Sequence, residues 1–286
     1  MKKLLITGGS GFAGSRIVKG LQKEFELITP SHSCFDITSA DDIDAAIQKI
    51  RPDIILHLAA ISNTGYCQEH PEESLSVNVQ GVVNIAAAAA KYGAKFVFFS
   101  SDQVYNGNHE TGLLSEDVPL SPENHYGVHK LMAEQRALQV CENSVCLRAT
   151  WMYDSLREGM PTHNNFVLNI MNALKNNTPL YFATREFRGI TWIDDVVRNI
   201  PFTFDLPGGT YNFGAENKFN TYQTALSYAD MLGGRAREII LPDENRFPEH
   251  IRNLSISMKK AYEASEGHII FKDTVEGLME YEKSRR

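Results

Sequence analysis

Apolar positions in the first half of the chain follow two alternating rhythms. Short apolar runs of strand length occur at Lys3–Thr7, Phe25–Thr29, Asp53–Ala59, Phe96–Ser100 and Ser144–Arg148. Between them, residues 14–21, 41–50, about 71–92 and 126 to about 141 repeat their apolar positions at helical spacing. Strict alternation of this kind predicts an α/β fold: a doubly wound, mostly parallel sheet with helices on both faces. Past Met152 the alternation loosens into a stretch bearing Gly, Pro and Asn, a helix near Phe166–Lys175, and mixed segments. The expected organisation is a nucleotide-binding unit over 1–153, rejoined by about 190–215. Residues 154–189 and 216–286 would form a smaller substrate-binding part. In sheets of this class ligands sit beyond the carboxyl ends of the strands, so the residues just after each strand are the ones to inspect.

Composition narrows the class of function. The chain has 286 residues, 43% of them hydrophobic, and a formal charge of −7. No long basic run is present, which argues against nucleic acid or an anionic membrane surface as partner. Cys34, Cys67, Cys141 and Cys146 have no metal-ligand spacing, and no metal is expected. The N-terminus runs straight into a strand-like segment, and no apolar stretch reaches the roughly 20 residues of a membrane span. A cytoplasmic location is expected. The alanine-rich segment near position 90 reads as a packed helix.

The turn Thr7-Gly-Gly-Ser-Gly-Phe-Ala-Gly14 lies between the first strand and the first helix. Glycine permits positive φ and lets a pyrophosphate approach the backbone, while the helix N-terminus offers free N–H groups. Gly8, Gly11, Phe12 and Ala13 are therefore candidates for a dinucleotide site, the alternative being a tight turn that binds nothing. The usual acidic residue at the end of the second strand is absent. Thr29-Pro-Ser-His-Ser33 stands there instead, and Ser31, with Arg16 as possible help, could accommodate a 2′-phosphate. NADP or NAD is the implied cofactor, with NADPH favoured; an exposed loop is the competing reading of Ser31 and His32.

Tyr126-Gly-Val-His-Lys130 puts a phenol and an ammonium on one face of a helix. A lysine cation favours the phenolate of a tyrosine whose reference pKa is about 10, which equips the pair to exchange a proton with a substrate oxygen. Ser101, just after a strand, would hydrogen-bond that oxygen, and Ser100 competes for the role because neighbours on a strand point opposite ways. His57 reads as a satisfied strand residue. His125 and His129 flank Tyr126 and read as helix-surface residues or modulators of its proton.

TGGSGFAG, HLAA at 57–60, NVQG at 78–81, FSSDQVY at 99–105 and YGVHK together resemble the extended short-chain dehydrogenase/reductases, a Rossmann-type family. Within it, SSDQVYNG, LRATWMY at 147–153 and NNF at 164–166 look most like the dTDP-4-dehydrorhamnose reductase family. The resemblance implies pyrophosphate contacts for Gly8, Gly11, Phe12 and Ala13, adenine contacts for Asp36 and Ile37, and contacts along the ribose and nicotinamide for Leu58, Ala59, Ala60, Tyr126 and Lys130. It gives Ser101 and Asp102 to the substrate, places Trp151 over the sugar, and adds Asn165 to that group; Trp151 as plain core and Asp36 as a turn residue are the alternatives. Arg188, in a segment closer to nucleotide-sugar epimerases, could clamp a diphosphate, or could be a surface residue pairing with Asp194 or Glu186. Serine at 101, where the family usually has threonine, keeps the hydroxyl.

These readings lead to reduction of a 4-keto nucleotide sugar, with hydride from the nicotinamide and a proton from Tyr126. An NAD-dependent epimerase is a second possibility. A third is a non-catalytic regulatory NADP-binding subunit, against which retention of Ser101, Tyr126 and Lys130 weighs. Dehydration is disfavoured because Gln103 stands where a glutamate would complete the acid pair. A homodimer is the expected assembly.

Overall fold

In the computed structural model, which describes residues 1–285, the first half folds as alternating strands and helices. They are β1 (Lys3–Thr7), α1 (Phe12–Leu21), β2 (Glu26–Ile28), α2 (Ala40–Ile50), β3 (Ile54–His57), α3 (Thr64–Glu69), α4 (Pro71–Leu75), α5 (Gly81–Tyr92), β4 (Lys95–Ser101), α6 (His125–Val140) and β5 (Val145–Ala149). The second half adds β6 (Trp151–Tyr153), α7 (Phe166–Asn176), β7 (Leu180–Ala183), β8 (Glu186–Arg188), β9 (Ile190–Trp192), α8 (Ile193–Asn199), β10 (Gly209–Phe213), α9 (Thr221–Leu232), β11 (Ile240–Asp243), β12 (Arg252–Leu254), α10 (Lys259–Ala264) and α11 (Thr274–Ser284).

The central sheet has the order β10-β5-β4-β3-β1-β2, and every pairing in it is parallel. This is the Rossmann-type doubly wound sheet the alternation predicts. Successive residues of its strands face opposite layers. Leu4 and Ile6 belong to one apolar cluster, whereas Leu5 packs with Ile43, Ile47, Val82, Ile85, Phe96 and Phe98 under α2, α5 and α6. Ala86, Ala88 and Ala89 are buried, so the alanine-rich segment is a packed helix. Order reverses between β1 and β3, and in sheets of this class ligand is bound at such a reversal, beyond the strand ends.

Local chemistry fixes the helix starts. The side chains of Ser39, Asn124 and Asn165 each accept a backbone N–H from the first turn of α2, α6 and α7. The single helix expected over 71–92 is broken into α4, a π-helical stretch at Ser76–Gln80, and α5. The extra residue per turn in that stretch accommodates Asn78, whose buried amide works across the helix as described below. The helix α3 was not legible in the sequence. In the second half, β6 pairs with β9, β8 with β12 and β7 with β11, each as a parallel pair. Pairing of β8 with β12 sets Arg252 opposite Glu186 and Leu254 opposite Arg188, which brings two arginines 64 residues apart in sequence to one small sheet. Among the described residues no helix is long and apolar enough to cross a membrane. Cys67, Cys141 and Cys146 are buried free thiols; the side chain of Cys34 lies outside the described residues.

Candidate active site

The glycine turn is built for close approach. Gly8 has φ +70°, and a Cβ there would lie 2.7 Å from the Ala59 amide nitrogen; a Cβ on Gly14 would collide with the Gly8 carbonyl. The turn and the end of β3 are thus in backbone contact. Gly11, which caps α1 without a side-chain bond, is different: a Cβ there meets only the Gly8 carbonyl, at 3.2 Å. Beyond its chain neighbours, no other atom of the described residues lies within 4 Å of that Cβ position, and the first N–H groups of a helix are where a pyrophosphate oxygen is accepted. Gly11→Ala is accordingly expected to leave thermal unfolding nearly unchanged and to weaken NADPH binding about tenfold, as followed by nicotinamide fluorescence.

Around this turn the candidate cofactor residues have distinct settings. Ser31 is exposed at the end of β2, its hydroxyl bonded to that of Ser33 at 3.0 Å. Asp36 is exposed and accepts both the amide and hydroxyl of Thr38 in a local turn. Ile37 is buried against Gly81, and its carbonyl is held by Asn84. Leu58, Ala59 and Ala60 are half-buried beyond β3. Arg16 does not reach the Ser31 loop. It is buried in an ion pair with Asp154, Nε to Oδ2 at 2.9 Å, so its proposed help with a 2′-phosphate is withdrawn.

Beyond β3 the backbone is fixed by a residue that sequence reasoning left without a role. Asn78 accepts the Ile61 amide and donates to the Ile61 carbonyl, both at 2.9 Å, holding residues 58–61 as a strand partner would. The NVQG motif was the available signal. His57 is less satisfied than expected: Nδ1 pairs with the Thr7 hydroxyl at 2.7 Å, but Nε2 is buried without a hydrogen bond. Burial, with the Lys130 charge, pushes its pKa down to about 3 and keeps the ring neutral.

The two serines at the end of β4 part ways. Ser100 Oγ donates to Glu134 at 2.5 Å in the interior, whereas the Ser101 hydroxyl lies on the Tyr126 side, near enough to lower the phenol's pKa. Ser101 is thus the hydroxyl beside the phenol. Lys130 is buried, with Nζ donating to the Phe99 carbonyl at 2.8 Å and lying 5.7 Å from the Tyr126 ring centre. Burial pushes the Tyr126 phenol well above its ordinary range, the nearby Ser101 hydroxyl opposing the rise and the Asp102 charge adding to it. In this state the phenol holds its proton, as a donor to a ketone must, and the phenolate expected from the lysine alone does not form. Burial brings Lys130 down to about 8, with the Glu134 charge pulling the other way. His129 is buried and bonded to Ser74 at 2.8 Å, so it is no surface residue.

A charged cluster adjoins the serine. Asp102 accepts from Ser101 Oγ at 3.2 Å and from Arg188 Nη2 at 3.1 Å, and Arg188 lies 5.1 Å from the Trp151 ring centre. Neither Asp194 nor Glu186 pairs with Arg188: Arg157 takes the first and Arg252 the second. Arg188 Nε is buried without a partner. Arg252, which the loosened pattern of the second half concealed, bonds Gln103 at 3.0 Å and Asn106 at 2.9 Å beside it. Trp151 is half-buried on the same side, while Asn165 is fully buried. Its amide caps α7 and donates to the Asp154 and His163 carbonyls. Both of its N–H donors are spent within the fold, so the expected substrate contact is reassigned to bracing the preceding loop.

Residues 1–271 match the RmlD substrate-binding domain family. The chain belongs to that family. Among RmlD-like relatives, dTDP-4-dehydrorhamnose reductase of Aggregatibacter actinomycetemcomitans is 27% identical over 239 residues, covering 80% of this chain and 79% of that protein. Spore coat polysaccharide biosynthesis protein SpsK of Bacillus subtilis is 24% identical over 234 residues, covering 82% and 80%. The solved dTDP-4-dehydrorhamnose reductase of Bacillus anthracis, in complex with NADP, superposes with a TM-score of 0.84 over the full length of both chains at 22% identity. The RmlD fold thus extends through the second half, where the sequence pattern was weakest.

Proposed function

We propose that this RmlD-family protein is an NADPH-dependent reductase of a 4-keto nucleotide sugar, with dTDP-4-dehydrorhamnose as the first substrate to test. The observation that carries this reading is the grouping of Ser101, a protonated Tyr126 and a buried Lys130 beyond β4, next to a glycine turn with room for a pyrophosphate. The relatives named dTDP-4-dehydrorhamnose reductase, and the one solved with NADP, point the same way.

NADPH, when bound, supplies a hydride to the carbonyl carbon. Gly8, Gly11, Phe12 and Ala13 would hold its pyrophosphate, and Leu58, Ala59 and Ala60, braced by Asn78, would flank the nicotinamide side. The run from Thr29 to Ser33 carries no carboxylate to repel a 2′-phosphate, which favours NADPH over NADH. Ser101 donates a hydrogen bond to the sugar ketone, and Tyr126 gives its proton to that oxygen as the alcohol forms. Lys130 supplies a cation beneath the phenol, which lightens the cost of its losing the proton. The buried free Nε of Arg188 is a donor awaiting an acceptor, and a substrate diphosphate answers it. Arg252 stands beside it as a second cation, and Trp151 offers a flat face to the sugar.

The test is NADPH oxidation at 340 nm with dTDP-4-dehydrorhamnose, product being analysed by mass. One mole of NADPH consumed per mole of product two mass units heavier supports reductase action. Isomerisation of a nucleotide sugar without net cofactor oxidation would replace it with the epimerase reading.

A further inference from the structure

The crossover from β6 to α7, residues 154–165, lies over the first turn of α1, and one side chain binds the two. Arg16 is 2% exposed although it stands on a surface helix. Its Nε pairs with Asp154 at the start of the crossover at 2.9 Å, and its Nη1 donates to the Pro161 carbonyl further along at 2.6 Å and to the Phe12 carbonyl at 3.2 Å. The guanidinium also lies 4.4 Å from the centre of the Phe12 ring, which packs edge-to-face with His163 at 4.1 Å. Phe12 is therefore held between a residue of its own helix and one of the crossover. Between the anchored positions Leu156, Glu158, Gly159 and Thr162 are exposed.

We propose that Arg16 is a positioning residue which ties the crossover to the dinucleotide turn, so that cofactor occupancy and closure of residues 154–165 are one event. The inference rests on the cofactor reading above. Phe12 opens α1, where a pyrophosphate accepts from the backbone, and the same residue's carbonyl and ring hold Arg16. Fixing that turn fixes the guanidinium, and with it Asp154 and Pro161. A cation one turn into α1 also favours an anion at the helix N-terminus, and Arg16 Nη2 remains buried without a hydrogen bond, which leaves it a donor to spare. The start of the crossover is held a second time: Asp154 pairs with Arg157 at 2.7 Å, and Arg157 reaches Asp194 at 2.7 Å. Since the crossover begins two residues past Met152 and leads into α7, its closure shapes the substrate side. Cofactor would therefore bind before the nucleotide sugar.

Trypsin cleavage after Arg157, quantified by mass spectrometry with and without NADPH, tests the tie without requiring turnover. Arg16→Met keeps the apolar stem and leaves Asp154 paired with Arg157, so no buried carboxylate is stranded. In the wild type, NADPH is expected to slow this cut at least about tenfold. In Arg16→Met that protection is lost even with NADPH at saturation, and the Kd for NADPH rises about tenfold. Equal protection of wild type and variant by saturating NADPH would overturn the proposal, as would a loss of affinity with protection intact. Should Arg16→Met fail to fold, Arg16→Lys, which keeps the charge but not the planar fork, decides the matter in the same assay. A wild type that binds no NADPH would bring down the cofactor reading together with this one, an outcome distinct from protection that ignores Arg16.

Discussion

Tyr126→Phe is expected to lower kcat for ketone reduction by a factor of about 10² to 10⁴ while raising the NADPH Kd by no more than the loss of one hydrogen bond to the nicotinamide ribose, about tenfold. The substitution removes one oxygen from a buried ring and leaves the packing of α6 in place, so cofactor titration and stopped-flow reduction can be read separately. The size follows from what the hydroxyl supplies. Hydride arriving at the carbonyl carbon leaves charge on oxygen, and without the phenol only the Ser101 hydroxyl meets it. Ser101→Ala is the complementary loss, and the double variant should fall well short of the product of the two single effects, because the groups act on one oxygen.

The pH profile carries the sign of the neighbouring lysine. Burial brings Lys130 from an ordinary 10.5 to about 8, so the ammonium beneath the phenol is present below that value and is lost as pH rises through it. In the free enzyme kcat/KM should therefore decline on the alkaline side of about pH 8. The Tyr126 phenol, pushed upward by burial, keeps its proton over the same range and does not add a second break. If the alkaline limb remained at the same position in Lys130→Met, the lysine could not be its source.

How far the sequence discloses this arrangement depends on the range of the interaction. Elements governed by neighbours a few residues apart were legible: the runs of β1, β3 and β4, and the four-residue spacing of Tyr126 and Lys130. The alternation of these elements also carried the sheet type. What was hidden depends on distant partners. Whether Ser100 or Ser101 faces the phenol is decided by Glu134, one turn beyond Lys130, which draws Ser100 inward. Arg252 enters the site only because β12 pairs with β8, and three-residue strands have no usable periodicity. Arg16 reads as a helper for a 2′-phosphate, yet the crossover 138 residues later takes its guanidinium and buries it. Asn165 has the composition of a polar contact and the geometry of a cap.

The same buried Glu134 underlies the largest stability effect expected. Its carboxylate receives Arg148 Nη2 at 2.9 Å and Nε at 3.1 Å, with both side chains no more than 4% exposed. Arg148 Nη1 continues to the Tyr105 hydroxyl at 2.9 Å, and Tyr105 to Asn212 at 2.8 Å, so the chain of bonds joins β4, α6, β5 and β10 beneath the site. Glu134→Ala strands a guanidinium that cannot shed its charge, at a cost of about 3–5 kcal/mol, or a fall in Tm on the order of 10 °C. Removing both charges is a different matter. Glu134→Leu with Arg148→Met leaves no uncompensated ion, and the double variant should recover most of the lost Tm, as differential scanning calorimetry would register. Such recovery of stability need not bring recovery of rate: Ser100 would have lost its acceptor and Lys130 the anion that favours its charge. Lys91→Met, which breaks the exposed pair with Asp44, should leave Tm unchanged within error, because water already screens both partners. A Glu134→Ala variant as stable as the wild type would mean that the interior around Arg148 takes in water or another anion, and the network could then no longer be held to fix the end of β4.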